Sequence, residues 1–308
     1  MLIVVNLHIM KILITGSHGL VGSALIPVVA NAGHTVIRMI RPPMKPDEKK
    51  ILWNPQTGFV EKEKLEGFDA IVHLAGENIS TGRWTAEKKA RIRDSRVKGT
   101  RFLAEIIAGL KAKPKILASA SAIGFYGSRG TEVMSEKKSP GSGFLAETCV
   151  QWEAATEPAS QAGINVFHLR FGIILSPKGG ALAKMLPPFK LGVGGKIGSG
   201  FQYMSWISIT DVVSAVMHFL KRKELNGPVN IVSQQPVTNL EFIKALGKVL
   251  SRPTFFPLPA FAARFALGEM ADELLLSSTR VEPSRLKASG YAFQHNNIEK
   301  ALQSMLKK

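Results

Sequence analysis

Apolar and polar positions come in alternating blocks along the chain up to about residue 175. Lys11–Thr15, Val36–Ile40, Ala70–Leu74, Ile116–Ser119 and Val166–Phe171 are short apolar runs with the length and branching of buried strands. Between them, Leu20–Ala32, Ala86–Leu110 and Phe144–Gln161 repeat apolar residues at the spacing of one helix face. Strands alternating with helices predict right-handed crossovers and an α/β fold, a doubly wound parallel sheet with helices on both faces. Pro27 lies inside the first helical stretch and predicts a kink. Pro114 and Gly163 punctuate helix-to-strand joins.

After Gly172 the rhythm breaks. Ser176–Gly180 and Leu191–Gly200 read as loops, the second with five glycines in the nine positions 192–200 and Lys196 among them. That stretch reads either as a loop ordered by a ligand or as a plain flexible connector. Trp206–Asp211 leads into a helix ending near Leu220 or Lys221, and Val229–Val232 reads as a further strand. From Thr238 the pattern is mainly helical, with a proline-rich joint at Pro253–Pro259.

Composition narrows the class. The 308 residues are 45% hydrophobic and 20% charged, as in globular proteins with a sizeable core. No run approaches the roughly 18 apolar residues of a membrane span. The apolar lead 1–9 lacks the basic region and cleavage site of a signal peptide, and Met10 stands directly before the first strand as a second candidate start. Cys149 is the single cysteine, which excludes an internal disulfide and fits a cytoplasmic location. The net charge of +17 raises the question of nucleic acid, yet runs such as Glu61-Lys62-Glu63-Lys64 mix the signs as solvated faces do. The expectation is no nucleic-acid partner, no membrane, a small-molecule substrate, and a monomer or homodimer. The histidines show no metal-ligand spacing, so no metal is expected.

The chemistry begins at Gly16-Ser17-His18-Gly19-Leu20-Val21-Gly22, directly after the first strand and opening the first helix. In a dinucleotide turn the first glycine permits the bend, the second lets backbone approach a pyrophosphate, and the third lets helix pack close on strand. The helix N-terminus adds N–H donors and a positive dipole end. An NAD site wants an acid at the end of the second strand to bond the ribose 2′-hydroxyl. No Asp or Glu precedes Asp47; Arg38 and Arg41 bracket the strand end instead, with Arg41 the better placed. A guanidinium there suits a 2′-phosphate, so the expected cofactor is NADP(H). Leu74, Ala75, Gly76 and Glu77, at the carboxyl end of their strand, and Ser119 on the next are expected to line its site. Arg96, on the helix that follows, either reaches a cofactor phosphate or ribose or makes a surface salt bridge. His73 reads as a strand histidine near the adenine.

Thr15-Gly16-Ser17-His18-Gly19-Leu20-Val21-Gly22, the strand Asp69–Ala75 and the turn Trp206–Val212 resemble the extended short-chain dehydrogenase/reductases, the superfamily of sugar-nucleotide epimerases and dehydratases. Leu74–Ile79, Arg83-Trp84-Thr85, Ser95-Arg96-Val97, Phe144–Glu147 with Trp152-Glu153, and Gly179–Trp206 resemble a narrower, atypical "epimerase family protein" subgroup. Some of its members carry the label "cell division inhibitor". Its short helical C-terminal domain of unknown function is similar to the stretch holding Pro257-Leu258-Pro259, Gly268-Glu269-Met270 and Val281-Glu282-Pro283. The resemblance implies an NADP-binding Rossmann domain over 10–175, with sheet elements returning at 203–233. A substrate-side region takes 176–202 and 234–308, helical over about 253–304.

The superfamily's catalytic Tyr, with a Lys four residues later, is absent. Four residues after Tyr126, Tyr203 and Tyr291 stand Gly130, Ile207 and His295. By resemblance the pair falls at Phe144 or Leu145 and at Thr148 or Cys149, none of which supplies the phenol or the cation. Three explanations stand: another proton donor, binding without chemistry, or a redox step needing no strong acid. Candidate substitutes are Ser121, where the superfamily keeps its Ser or Thr, Tyr126 on the same loop, and Glu147 if burial raises its pKa. Each has a plainer role: strand-end satisfaction, packing, and an exposed helix surface. Cys149 reads as a small core residue. The expected function is an oxidoreductase or nucleotide-sugar epimerase of unknown substrate. The alternative is a non-catalytic NADP-binding, redox-sensing protein. A nucleic-acid or division-machinery partner is supported by charge and an inherited label alone.

Overall fold

A computed structural model describes residues 9–43, 49–222 and 225–307. Residues 1–8 of the apolar lead, and Asp47, lie outside the described residues. The first half runs β1 (Lys11–Thr15), α1 (Leu20–Asn31), β2 (Thr35–Ile40), β3 (Lys50–Asn54), β4 (Phe59–Val60), β5 (Ala70–His73), α2 (Ala86–Ala108), β6 (Ile116–Ala122), β7 (Val133–Met134), α3 (Phe144–Ala154), α4 (Glu157–Gln161) and β8 (Asn165–Phe171). The remainder is β9 (Ile173–Leu175), α5 (Gly180–Lys190), β10 (Tyr203–Met204), β11 (Trp206–Ser208), α6 (Ile209–Leu220), β12 (Gly227–Ile231), β13 (Val237–Thr238), α7 (Asn239–Leu250), α8 (Ala260–Leu267), α9 (Glu269–Ala271), β14 (Arg280–Val281), α10 (Ser284–Ala288) and α11 (Ile298–Leu306).

Eight strands form the main sheet in the order β12-β8-β6-β5-β1-β2-β3-β4. All neighbours are parallel except β4, which turns back on β3. Ile14 stands between Arg38 on β2 and Val72 on β5. Alternation along β1 divides its side chains between two cores. Ile12 and Ile14 enter the layer beneath α1 and α6, and Leu13 enters the opposite layer beneath α2 and α4. All three are fully buried, each contributing roughly 1.5–3 kcal/mol of transfer free energy. The sheet thus has apolar residues on both faces, as a doubly wound parallel sheet must.

Several expectations change in detail. Phe144–Gln161 is two helices, broken at Ala155 and Thr156, where the Thr156 hydroxyl turns back to the Glu153 carbonyl at 2.8 Å. α1 runs unbroken through Pro27. β3 follows the charged run 47–50 and α5 contains Pro187 and Pro188, so neither showed in the periodicity. The glycine stretch 192–200 is not a free connector. It is backbone-paired to the proline-rich joint through Gly195 with Phe255 and Ile197 with Leu258. A Cβ on Gly195 would stand 2.1 Å from the Phe256 carbonyl oxygen, so the pairing requires glycine there.

Strand pairing and a buried carboxylate both stitch the C-terminal part to the Rossmann part. β14 pairs with β7 in the segment after β6. The Tyr291 hydroxyl and the Gln294 and His295 amides bond the buried Asp211 carboxylate at the start of α6. Between α9 and β14 the chain makes one wide π-helical turn, Asp272–Leu276.

Candidate functional site

The strand order reverses direction at β1 and β5, and ligands of open α/β sheets settle in the crevice at the carboxyl ends of such a pair. Gly16 leaves β1 with φ +64°, and a Cβ there would lie 2.6 Å from the Leu74 carbonyl carbon and oxygen. The two strand ends therefore touch, and glycine is required twice over, by conformation and by space. At Gly22 a Cβ would stand 2.5 Å from the Gly16 carbonyl oxygen, so this glycine lets α1 rest on the turn. Gly19 is the N-cap of α1, exposed and with no side-chain cap on the first-turn amides. An end of this kind can hold a pyrophosphate.

Behind the turn lies a buried neutral chain. The Thr15 hydroxyl accepts from the Leu74 and Ala75 amides at 3.1 and 3.2 Å. Its own proton then points to His73 Nδ1 at 2.8 Å, and His73 Nε2 reaches the Thr100 hydroxyl at 3.0 Å. Burial pushes the imidazole down to about 4, which keeps it neutral. His73 sets the spacing of the two strand ends and is no base.

On the rim, Arg38 donates from Nε to the Ser17 hydroxyl at 3.1 Å, and its other end meets His18 Nε2 at 2.6 Å. Arg41 is exposed just past β2. Arg38, which the sequence ranked second, is the arginine in contact with the turn. Opposite, Glu77 bonds the Lys88 ammonium at 2.6 Å, which holds its carboxyl below the usual range. Arg96 makes no salt bridge among the described residues. It donates to the Ile92 and Glu77 carbonyls at 2.9 and 3.1 Å and lies over the Trp152 ring at 5.1 Å. Its guanidinium stands 3.5 Å from where a Gly76 Cβ would be, under the crevice wall. Leu20 packs on Gly179 and Gly180, and Lys184 of α5 donates to the Ser80 carbonyl, so β9–α5 closes the near side.

The three candidate proton donors are elsewhere employed. Ser121 is buried, and its hydroxyl donates to Glu153 Oε1 at 2.7 Å. Tyr126 is fully buried; its hydroxyl donates to Asn230 at 2.7 Å and accepts from Arg170 at 2.9 Å, and burial raises its pKa. Arg170 and Glu153 close the network with two bonds of 2.7 Å. Both hydroxyls have partners inside this network, Ser121 as a strand-end group and Tyr126 as a packed one. Glu147 is exposed on α3, so the burial its role required is missing. It lines an open recess with Trp84, Lys89, Arg93 and Glu269. Ser119 is buried on β6 beside His73, and its hydroxyl has no hydrogen-bond partner among the described residues. The Cys149 thiol is buried and pushed up to about 12, first by burial and then by the Glu153 charge, which leaves it a core residue.

Comparison with known proteins agrees with this architecture. A model of the NAD dependent epimerase/dehydratase family matches residues 12–232, and one for a domain of unknown function, DUF1731, matches residues 258–305. The epimerase family protein Mb2239 of Mycobacterium bovis is 45% identical over 289 residues, 94% of this chain and 95% of its own. The chain belongs to the NAD-dependent epimerase/dehydratase family. A crystal structure of human epimerase family protein SDR39U1 (isoform 2) with NADPH superposes with a TM-score of 0.89 at 31% identity, covering 97% of this chain and 100% of that one. UDP-N-acetylglucosamine 4-epimerase from Bacillus cereus, 18% identical, shares the fold alone, with a TM-score of 0.74 over 96% of this chain and 98% of its own.

Against that family background the start of α3 stands out. Phe144 and Leu145 are half-buried, and Thr148 and Cys149 are buried. No side chain of α3 brings a phenol or an ammonium to the carboxyl end of β6. The chain does bring one carboxyl there from outside, Glu273 of the π-helical turn, which accepts from the Leu145 amide at 3.4 Å. Neither it nor Arg170 and Asn230 carried a signal in the sequence. An ordinary Glu in Asp272-Glu273-Leu274-Leu275-Leu276 has no spacing that marks it.

Proposed function

We propose that this protein is an NADP(H)-dependent oxidoreductase or epimerase-like enzyme acting on a small-molecule substrate without the Tyr–Lys pair. The observation that carries the reading is the end of β2. It presents Arg38 and Arg41, with no acid up to residue 43, beside a helix start whose amides have no side-chain cap. Gly16, Ser17, His18, Gly19, Leu20, Val21 and Gly22 form the pyrophosphate turn in this reading. Arg38 braces it through Ser17 and His18, and Arg41 pairs with the 2′-phosphate. Leu74, Ala75, Gly76 and Glu77 flank the adenosine side, Arg96 stiffens their loop from below, and Ser119 lies beneath. The cofactor when bound supplies or takes up a hydride. NADPH in the human relative supports the choice of cofactor.

Titration of the protein with NADPH and NADH tests this. NADPH binds at least about tenfold tighter, consistent with one charge-assisted pair of roughly 1.5–3 kcal/mol. Equal affinities remove the reading.

A second reading, a non-catalytic cofactor-binding or redox-sensing protein, is favoured by Phe144, Leu145, Thr148 and Cys149 at the positions of the missing pair. Tight NADPH binding with no oxidation of it by a broad panel of carbonyl compounds and nucleotide sugars selects that reading.

A further inference from the structure

We propose that Glu273, carried by the C-terminal domain onto the start of α3, is the acid–base group of a compact polar pocket that stands where the family's tyrosine is missing. The proposal rests on the NADP(H) reading above. The pocket has a cavity volume of about 220 Å³ and opens beyond the carboxyl end of β6, one strand along from the crevice. Gly124 after β6, Leu145 of α3, Ser128, Ser142, Ser277 and Glu273 line it. Leu145 is one of the two residues that fall at the superfamily's tyrosine position, and the carboxyl reaches the backbone amide of that residue from a different part of the chain.

The approach is built in. Gly143, with φ +103°, precedes α3, and a Cβ there would lie 2.6 Å from Glu273 Oε1. The positive φ favours glycine at this position, and any other residue would also push the carboxyl aside. The π-helical turn that presents Glu273 is held from three sides. Gln202 donates to the Leu275 carbonyl at 3.0 Å, Ser277 donates to the Glu273 carbonyl at 2.9 Å, and Leu276 packs against Gly198 of the glycine stretch. Wide turns of this type concentrate at functional sites. The pairing of the glycine stretch with the C-terminal joint thus acquires a purpose, since it fixes the turn that carries the acid.

The charges around Glu273 come from every element packed on it. From its own turn and α9, Asp272 and Glu269 are acidic. From α2, Lys89 acts on it, but that ammonium is bound by Glu269 at 2.8 Å. The Phe144 and Leu145 amides of α3 favour the ionised form, whereas burial, the largest effect, favours the neutral one, and the net direction is upward. The helix amides and dipole stabilise the anion, and burial outweighs them here. The upward direction suits a group that carries a proton, and the pocket is what gives that proton somewhere to go.

In carbonyl reduction the bound cofactor would supply a hydride to the carbonyl carbon, and the role of Glu273 is to give its proton to the carbonyl oxygen, whose π pair takes it. The products are an alcohol, the oxidised cofactor and a Glu273 carboxylate, which regains its proton from water. At about 30 Å³ per water the cavity has room for roughly seven waters. That suits a compact, hydroxyl-bearing carbonyl compound, whereas a nucleotide sugar would leave most of its atoms outside.

The test is a carboxyl ¹³C NMR titration of the full chain labelled at glutamate, with the Glu273 signal assigned by Glu273→Gln, or by Glu273→Asp if the first variant does not fold. The expected result is that Glu273 titrates above the other glutamates and that its signal shifts on adding dihydroxyacetone but not UDP-glucose. Titration with or below the other glutamates overturns the proposal in favour of a helix cap. A shift with UDP-glucose, or with neither compound, overturns the compact-carbonyl assignment. NADPH fluorescence titration of the same samples keeps the two readings apart. Loss of NADPH binding by the wild type fails the cofactor reading, whereas a low Glu273 titration with NADPH binding intact fails this proposal alone.

Discussion

The crevice at β1 and β5 and the pocket at the start of α3 lie on the same edge of one sheet, yet they are made differently. The crevice is mostly backbone. Three glycines within seven residues let two strand ends and a helix start converge, and the Thr15–His73–Thr100 chain behind them is neutral. The pocket is mostly side chain, and its walls come from 124–145 and 272–279, more than a hundred positions apart. The Ser121–Glu153–Arg170–Tyr126 network lies at the end of the same strand, β6, and at β8 beside it. A site made of backbone conformation leaves words in the local sequence. A site made by tertiary approach leaves few.

The largest expected effect separates the two regions. Arg170→Met strands the buried Glu153 carboxylate and should cost roughly 3–5 kcal/mol in urea unfolding. If the network serves only the pocket side, the folded variant keeps its NADPH affinity, and a parallel loss of affinity would show that crevice and pocket are one unit. Acid should strike the crevice first. His73 has an ordinary value of 6.5 and is held at about 4 when folded, so the unfolded chain binds the extra proton between those values. Stability is therefore complete above pH 6.5 and falls by about 3 kcal/mol on acidification to pH 4. His73→Gln removes that limb from the stability–pH curve; an unchanged curve contradicts the neutral-chain account. Gly16→Ala faces both a positive φ and the Leu74 carbonyl, and a loss of about 2 kcal/mol in stability with weakened NADPH binding is expected. Gly19→Ala, with 3.2 Å to the Gly16 oxygen, should be milder in stability.

The division between legible and illegible follows the same line. The first strands and helices, the glycine turn and the missing Tyr–Lys pair were visible because each is a pattern of neighbours. β3 and α5 were not, since a charged run and a Pro187-Pro188 pair hid their periodicity. The sequence places Ser121 and Tyr126 at the end of β6 and carries no sign of the partners of their hydroxyls. Position along a strand does not say which way a hydroxyl points, and here the deciding partners, Glu153, Arg170 and Asn230, come from 32 to 104 residues away. Arg38 was ranked below Arg41 because its contact with Ser17 and His18 depends on the β1–β2 register.

The smallest change probes the central claim. Arg41→Ala leaves the turn, the helix start and the buried chain in place and removes only a charge at the end of β2. The ratio of NADH to NADPH Kd, measured by calorimetric titration of wild type and Arg41→Ala, is the most direct test. The account predicts a ratio of at least about ten in the wild type, collapsing toward one in the variant through loss of NADPH affinity alone. Equal weakening of both cofactors, or a wild-type ratio near one, contradicts it.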